Sequence, residues 1–410
     1  DGDGIPEWDH LSQMWIVDHR LYSRWQEWSE GIEINSAESP ALCAFLYQEC
    51  QSLIQMAELL GSEAAIEALQ ATAERLRLAV EIAWDGEKSS YQYVDRETHF
   101  SAPGRLLAEG NGSGILHIDA KFAQAVRLVI QIHTHDENTR RTRIAISGTS
   151  ATGQSRLETI PEERIKWSLG WGVTTGERVY QQVDTVELSG LAEGDLVRII
   201  TASYDQPDIT CFLPLWAKIS EPERAAQMIE NSLLNPQKFW RSHGLPTSLA
   251  NGLPVEGEGY TSANLVWNLL VGQGLLGYGY RQEAARLFNN LMKGILRSLK
   301  EQQTFRRYYQ ADTGQGRGER NPLQGLAPVS FFLECLGLRL ISPRKVLLNG
   351  FNPFPWPVTV KYRGLTILCQ KDKSTVIFPD GQAITIDDPT PRVVSLEAGL
   401  ENLPGQESLR

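Results

Sequence analysis

Residues 40–61, PALCAFLYQECQSLIQMAELLG, place apolar side chains at steps of three and four residues. This spacing puts them on one face of a long amphipathic helix, and Gly61 is typical of the residue that ends such a helix. A second run, rich in Ala, Glu, Leu and Arg, extends from Ser62 to about Ala83. The two runs together predict a pair of antiparallel helices.

The apolar period changes on the C-terminal side of this pair. Between about Leu106 and Ala202 it alternates, as in VRLVIQI (126–132), which predicts half-buried strands. After Pro343, alternating runs between Gly and Pro turns predict a small antiparallel module. Between these two β regions, helical spacing returns in four segments. They are Glu221–Leu234, Ser262–Leu276, Arg281–Lys300 and Gly325–Leu338.

These changes of period predict a multi-domain, mainly α protein, since single cores rarely exceed about 250–300 residues. Residues 1–105 and 204–342 are predicted to form the two parts of one helical domain. Residues 106–203 are predicted to be a β-sandwich-like insertion in it. Residues 343–410 are predicted to form the C-terminal β module and its tail.

Composition excludes several classes of partner. The chain has 39 basic and 50 acidic residues, for a net charge of -11, without a Lys/Arg-rich run, so we expect no nucleic acid partner. No apolar stretch approaches the roughly 20 residues of a membrane helix. The five cysteines are scattered, which predicts neither disulfides nor a zinc site. Without a visible signal peptide, we expect a cytoplasmic protein.

Several local strings identify a family. The segments at 211–247 (CFLPLWAKISEPERAAQMIENSLLNPQKFWRSHGLPT), 274–288 (GLLGYGYRQEAARLF), 305–338 (FRRYYQADTGQGRGERNPLQGLAPVSFFLECLGL) and 83–99 (AWDGEKSSYQYVDRETH) resemble segments of α/α-barrel glycosidases. The glycosidases in question are those of glycoside hydrolase family 63 and the trehalase type, also called six-hairpin glycosidases. DGDGIPEW (1–8) is similar to a loop of the family 116 β-glucosidases.

This resemblance implies an (α/α) toroid of helical hairpins that acts on an oligosaccharide or a glycoside. About six helices can be counted, where a complete toroid has twelve, so the resemblance implies a partial barrel. We therefore expect the missing half upstream of Asp1 or on a partner chain.

Glycoside hydrolysis needs two carboxyl groups that flank the scissile bond, one as proton donor and one as base or nucleophile. The resemblance implies that the proton donor lies in the loop before the helix at Pro40. Glu33 and Glu38 occupy this loop, and Asp9 is a further candidate. Glu38 has a structural alternative, because an acidic residue before a helix also interacts favourably with its dipole.

The second carboxylate departs from the family pattern. The related enzymes carry a base, Glu, immediately before the Tyr-Tyr pair, and here that position is Arg307. An arginine stays charged and cannot accept a proton from water. We predict Glu319, in the Gly-rich loop, as a displaced base, with Asp312 as the alternative. If neither serves, the protein is a non-catalytic carbohydrate-binding or scaffolding relative.

Aromatic side chains are the other carbohydrate signal, because sugar rings stack on them. The motif WRGPVW of the family is reduced here to SANLVW (262–267). An aromatic side chain that is buried can instead serve to pack the core, and this is the competing interpretation for such residues. The predicted substrate-binding residues are Trp8, Tyr260, Trp267, Arg307, Tyr308 and Tyr309.

Two weaker signals concern metals and the insertion. The first four residues, from Asp1 to Gly4, resemble the start of a calcium loop but lack its later ligands, so we predict a turn there and no metal or cofactor. His133 and His135 alternate on one strand and are interpreted as surface residues. The insertion carries Trp167 and Trp171, and either a carbohydrate-binding role or a shielding role would account for them.

Overall fold

The computed structural model describes residues 4–14, 16, 19–23, 29–249, 261–397 and 399–402. The chain forms two compact units. The first consists of Asp1–Trp240 and Pro246–Ser262, and the second of Arg241–Leu245 and Ala263–Arg410. In the described part of the chain, no helix is both long enough and apolar enough to cross a membrane.

Seven α-helices lie in the described residues, and three of them, two near the N-terminus and one in the second unit, have 20 to 22 residues. The first begins at Pro40, a residue that suits a first helical turn. Gly61 ends it in the left-handed conformation, with φ of 67°, as predicted. The helices are α1 (Pro40–Leu60), α2 (Glu63–Ile82), α3 (Leu213–Trp216), α4 (Pro222–Met228), α5 (Leu265–Gly277), α6 (Arg281–Gln302) and α7 (Val329–Cys335).

The strands of the first unit include two that are unusually long. They are β1 (Ala37–Glu38), β2 (Trp84–Asp85), β3 (Ser90–Tyr91), β4 (Val94–Asp95), β5 (Leu106–Asn111), β6 (Gly114–His133), β7 (Arg143–Thr149), β8 (Ser155–Ile160), β9 (Lys166–Ser168), β10 (Trp171–Ser189) and β11 (Leu196–Thr201).

The strands of the predicted insertion are hydrogen-bonded into one seven-stranded sheet. Its order is β5-β11-β6-β10-β7-β8, with β9 paired to β10. Strand β10 slips register against β6 at three places between Thr175 and Thr185, and such bulges bend a strand. The bend closes the sheet around a core of aliphatic side chains that includes Ile130, Ile146 and Ile199.

Strand β6 changes environment along its length. Its first half is partly exposed on both faces, whereas the six residues from Arg127 to Ile132 are all buried. The second half of this strand therefore has one face on the sheet core and the other against the rest of the unit. The loops that carry the candidate site lie on this side.

The second unit contains the remaining strands, which form hairpins and two four-stranded antiparallel sheets. The two sheets have the orders β15-β16-β21-β22 and β17-β18-β19-β20. The strands are β12 (Ser262–Asn264), β13 (Arg306–Gln310), β14 (Gly316–Arg320), β15 (Leu338–Ser342), β16 (Lys345–Leu348), β17 (Val358–Tyr362), β18 (Leu365–Cys369), β19 (Ser374–Ile377), β20 (Ala383–Ile386), β21 (Arg392–Ser395) and β22 (Gly399–Asn402).

The prediction of a mainly α protein built as a toroid of helical hairpins is wrong. Helices account for about 31% of the described residues and strands for about 33%. The segment from Glu221 is helical as predicted, because a π-helical turn at Ile229–Leu233 continues helix α4. One cause of the error is visible in the last predicted helical segment. The last segment is helical only between Pro328 and Leu336, because strand β15 begins at Leu338.

Helices α5 and α7 pack closely because Gly272 has no side chain. A Cβ atom at this position would lie 2.2 Å from Phe331 Cζ, and the Phe331 ring is fully buried. We predict that Gly272→Ala lowers the free energy of unfolding by about 1–3 kcal/mol, the usual cost of overpacking a core. Gly114→Ala, where a Cβ meets nothing within 4 Å, is the matched control in thermal unfolding. Equal melting temperatures of the two variants would contradict the packing argument.

Candidate active site

The loop that carries Glu33 is fixed against strand β10. The Glu33 N–H donates a hydrogen bond to Thr175 Oγ1 at 2.9 Å. Ser36 closes the turn, since its hydroxyl donates to the Glu33 carbonyl at 2.7 Å. Gly31, with φ of 70°, lets the chain approach the sheet, because a Cβ there would lie 2.6 Å from Val173 Cγ2. The backbone of the candidate acid is therefore held by the sheet.

A cavity of about 290 Å³ lies beside this loop, and we call it the tryptophan cavity. It combines an indole with a carboxylate, an ammonium group and a phenol. Walls that are largely apolar and carry a few polar groups are typical of small-molecule sites. Its lining includes Asp9, His10, Tyr22, Ile34, Lys166 and Trp167.

Tyr22 offers a polar group to the tryptophan cavity. The residue is 4% exposed, and its buried hydroxyl has no hydrogen-bond partner in the described part of the chain. Its ring stacks on His19 at 4.5 Å and meets Tyr93 edge-on at 5.6 Å. Burial, followed by the charge of Asp208, raises the Tyr22 pKa well above its ordinary value. The hydroxyl therefore stays protonated and can donate to a ligand oxygen.

Asp208 lies at the centre of the buried network behind Tyr22. His19 Nε2 lies 2.6 Å from Asp208 Oδ2, and the Tyr93 hydroxyl donates to the same oxygen at 2.6 Å. The backbone N–H of Thr210 donates to Oδ1 at 2.7 Å. Burial alone would raise the pKa of Asp208, but the hydrogen bonds from His19, Thr210 and Tyr93 outweigh it and keep this pKa low. An ionised aspartate therefore orients both rings that hold Tyr22.

A second cavity, of about 260 Å³, adjoins the first, and we call it the arginine cavity. Glu33 lines the arginine cavity, whereas the next residue, Ile34, lines the tryptophan cavity. Lys166 lines both cavities. The lining of the arginine cavity includes Glu33, Ser36, Arg96, Arg127, Arg164 and Lys166.

A buried ion pair forms one wall of the arginine cavity. The Arg127 side chain is fully buried, and its Nε lies 2.7 Å from Asp95 Oδ2. Tyr204 donates to the same Asp95 oxygen at 2.9 Å. Burial lowers the pKa of Arg127, but the hydrogen bond to Asp95 outweighs it, so that the Arg127 pKa is raised. Arg164, by contrast, is partly exposed and pairs with Glu177 at 2.8 Å.

Glu319, the predicted displaced base, and Arg307, which the resemblance places at the position of the family's base, lie in the second unit, on the β13–β14 hairpin. Arg307 Nη1 is 3.4 Å from Glu319 Oε1, with side-chain exposures of 25% and 65%. The Arg307 guanidinium lies 5.2 Å from the centre of the Tyr308 ring. Asp312, the alternative base, lies 3.8 Å from Arg241 Nε and is also exposed.

Three further residues of the predicted substrate-binding set have defined positions. Trp8 is half-buried, and its indole nitrogen has no hydrogen-bond partner among the described residues. Trp267 is 4% exposed, in helix α5. Tyr309 is fully buried, and its hydroxyl donates to the Gly325 carbonyl at 3.0 Å. Tyr260 lies outside the described residues.

One cluster of the described residues has the composition of a metal site. The side chains of His135, Asp136 and Asp195 offer ligand atoms within 4.8 Å of one another. Arg140, however, binds Asp136 and Asp195, each at 2.7 Å, so a guanidinium already balances their charge. Asp1 and Asp3 of the weak calcium signal lie outside the described residues.

Sequence reasoning missed Tyr22, Asp208 and the arginines of the second cavity. Arg127 carried a signal, because it is the charged residue inside the apolar run VRLVI (126–130). Asp208 carried a weaker one, because it precedes the buried run Ile209–Phe212. The sequence around Tyr22 gave no such signal. Its role depends on Tyr93 and Asp208, which lie near it in the fold but are distant in sequence.

One family model matches part of the chain. Residues 6–133 match the family model described as mannosylglycerate hydrolase MGH1-like glycoside hydrolase domain. The resemblance to family 63 and trehalase-like glycosidases is confirmed. The matched segment contains Asp9, Tyr22 and Glu33. It covers the lining residues of both cavities except those at positions 164–168 and 176–177. No curated protein sequence matches the chain.

Solved structures give distant similarities. The family 63 mannosylglycerate hydrolase from Thermus thermophilus, in complex with glucose, has 16% identity and a TM-score of 0.40 over 73% of this chain. Neutral trehalase from Saccharomyces cerevisiae has 12% identity and a TM-score of 0.42 over 78% of this chain. A sialidase has 11% identity and a TM-score of 0.48 over 94%. The chain spans 48%, 40% and 30% of these three structures, respectively.

The network around Asp208 predicts a pH-dependent stability. Because its pKa lies below the ordinary value of 3.8, its stabilising effect is complete above that value and is lost as the pH falls through the folded-state pKa. We expect Asp208→Asn to lower the free energy of unfolding by about 1–3 kcal/mol at neutral pH. The difference from the wild type should shrink between about pH 5 and pH 1 in denaturant titrations. Asp119→Asn, on the exposed face of β6, is the control, and a difference that grows on acidification would contradict the assignment.

Proposed function

We propose that the chain is the part of a glycoside hydrolase-like protein that binds an oligosaccharide or a glucoside and hydrolyses it by carboxylate acid–base catalysis. One observation carries this proposal. Two adjoining cavities of the first unit present Asp9 and Glu33, one in each, within the segment that matches the glycosidase family, and the cavity of Asp9 also holds the Trp167 indole. Carboxyl groups and an aromatic ring are the groups that cleavage and binding of a sugar use.

The tryptophan cavity supplies the contacts for one sugar ring. The Trp167 indole offers an apolar surface to a pyranose face. The unpartnered hydroxyl of Tyr22 then donates to a sugar oxygen. A buried hydroxyl without a partner costs about 1–3 kcal/mol, so a ligand oxygen at this position is favoured.

Position distinguishes the two candidate acids. Glu33 lines the arginine cavity, where Arg164 pairs with Glu177 at 2.8 Å. Asp9 lines the tryptophan cavity, which holds the Trp167 indole and therefore the proposed place of the sugar ring. We therefore propose Asp9 as the proton donor and Glu33 as an acceptor for sugar hydroxyls. The role of Glu319 as a base is a separate proposal, which rests on the sequence of the second unit.

The experiment measures free sugar released from α- and β-linked gluco- and manno-disaccharides. We expect Asp9→Asn and Glu319→Gln each to lower kcat by at least about 100-fold, the usual contribution of acid–base catalysis. Glu33→Gln should raise KM more than it lowers kcat, because it removes a binding contact. Glu163→Gln, an exposed glutamate near strand β9, is the matched control. Unchanged turnover of Asp9→Asn would contradict its role.

A second candidate function, carbohydrate binding without catalysis, is favoured by a separate observation. Arg307 occupies the position of the family's base, and Glu319 pairs with it at 3.4 Å. A non-catalytic carbohydrate-binding relative would show both features. In that case the wild type binds sugar without turnover, and Arg307→Glu, which restores a carboxylate, should create measurable hydrolysis. Turnover by the wild type that Glu319→Gln abolishes would exclude this alternative.

Both functions share a prediction about sugar binding. Trp167→Ala removes the stacking surface and should weaken binding by roughly tenfold, and Tyr22→Phe by about two- to tenfold for one lost hydrogen bond. Trp171→Ala is the control, because this indole packs on His133 instead. Calorimetry with the disaccharide that binds best checks all three variants. Loss of affinity in the Trp171 variant alone would contradict the assigned cavity.

A further inference from the structure

The second unit contains a wide groove of about 960 Å³, which we call the Trp356 groove. Helix α6 forms one wall. The loop before strand β17 and the turn between β18 and β19 form the other. Its lining includes Gln282, Arg286, Asn289, Trp356, Gln370 and Asp372.

Trp356 is held as a platform in this groove. The residue is 50% exposed. Its ring stacks on Phe354 with centres 5.6 Å apart and an interplanar angle of 24°. Phe354 is buried and packs against Phe288 and Phe332 at 5.9 and 5.2 Å. The orientation of the exposed indole is therefore fixed from the interior of the unit.

The loop that carries Trp356 is preorganised. Asn352 is 4% exposed, and its Nδ2 donates to the carbonyls of Trp356 and Cys369 at 2.8 and 3.1 Å. Its Oδ1 accepts the Phe354 N–H at 2.9 Å. In the sequence PFPWP (353–357), a proline flanks each aromatic residue and restricts the backbone. A platform that is rigid before binding loses little entropy when a ligand arrives.

The polar groups around the platform are suited to hydroxyl groups. Gln282 and Asn289 are seven residues apart on α6 and so lie on one face of it. Gln370 and Asp372 lie on the opposite wall. Within the described part of the chain, these four side chains make no hydrogen bond. Each amide can donate and accept, which matches the two capacities of a sugar hydroxyl.

We infer that the Trp356 groove binds a neutral oligosaccharide, with one pyranose ring stacked on the indole and its hydroxyls bound by Gln282, Asn289 and Gln370. Two basic residues of the lining, Arg286 and Lys371, against one acidic residue, Asp372, leave a net charge of +1. The groups that the inference assigns to the sugar hydroxyls, Gln282, Asn289 and Gln370, are neutral amides, which suit a ligand without a charge of its own. An apolar ligand would bury the amides without partners, at a cost in free energy. This binding needs no catalysis and does not rest on the hydrolytic function proposed above.

The test separates this groove from the cavities of the first unit. The full chain carrying Trp167→Ala is titrated by calorimetry with gluco- and manno-hexasaccharides. We expect residual binding, which Trp356→Ala weakens by at least about tenfold, equivalent to about 1.4 kcal/mol. Trp356→Phe should retain most of the affinity because it keeps a ring. Leu323→Ala, which removes another exposed apolar side chain of the second unit, is the control.

Asn289→Ala tests separately whether the amides of the groove contribute to binding. We expect this variant to weaken binding about two- to tenfold, because it removes one hydrogen bond. Melting temperatures close to that of the parent chain show that the variants fold. Absence of hexasaccharide binding in the Trp167→Ala parent overturns the inference. Equal affinity of the parent and its Trp356→Ala derivative overturns it as well. Neither outcome bears on hydrolysis at the first unit, which is measured separately.

Discussion

The buried ion pair between Arg127 and Asp95 is the interaction on which the first unit depends. It joins the buried half of the long strand β6 to the short strand β4, and Tyr204 closes it from a third segment. Removing one partner of such a pair leaves a buried charge without compensation, at a cost of about 3–5 kcal/mol. Because Ser36 also contacts Tyr204, the pair fixes the loop of Glu33 relative to the sheet.

The buried network around Asp208 also holds residues of the candidate site in place. Asp208 connects His19 and Tyr93, and these rings orient Tyr22 toward the tryptophan cavity. Both networks place an aspartate side chain in the interior and satisfy it with several hydrogen-bond donors. Neither carboxylate faces a ligand directly. They are positioning groups, and the residues that can contact a sugar lie in front of them.

Local patterns predicted much of the secondary structure, because spacing and capping act within a few residues. Gly61 and the alternation in β6 and β7 are examples. The toroid was wrong because it depended on how helices assemble, and short segments around Pro328 and Leu338 do not become long helices. At the site, Asp9 and Glu33 were named from sequence. Their supporting residues were not, since His19 and Asp208 are 189 positions apart.

The chemistry of the second unit depends on how strongly Arg307 holds Glu319. The two groups are 3.4 Å apart and partly exposed, so water screens their attraction, and a pair of this kind contributes about 0–1 kcal/mol. Arg307 also rests on the Tyr308 ring, which offers it a second favourable contact. The ion pair is therefore a weak restraint on Glu319. The arginine at position 307 does not by itself immobilise the Glu319 side chain.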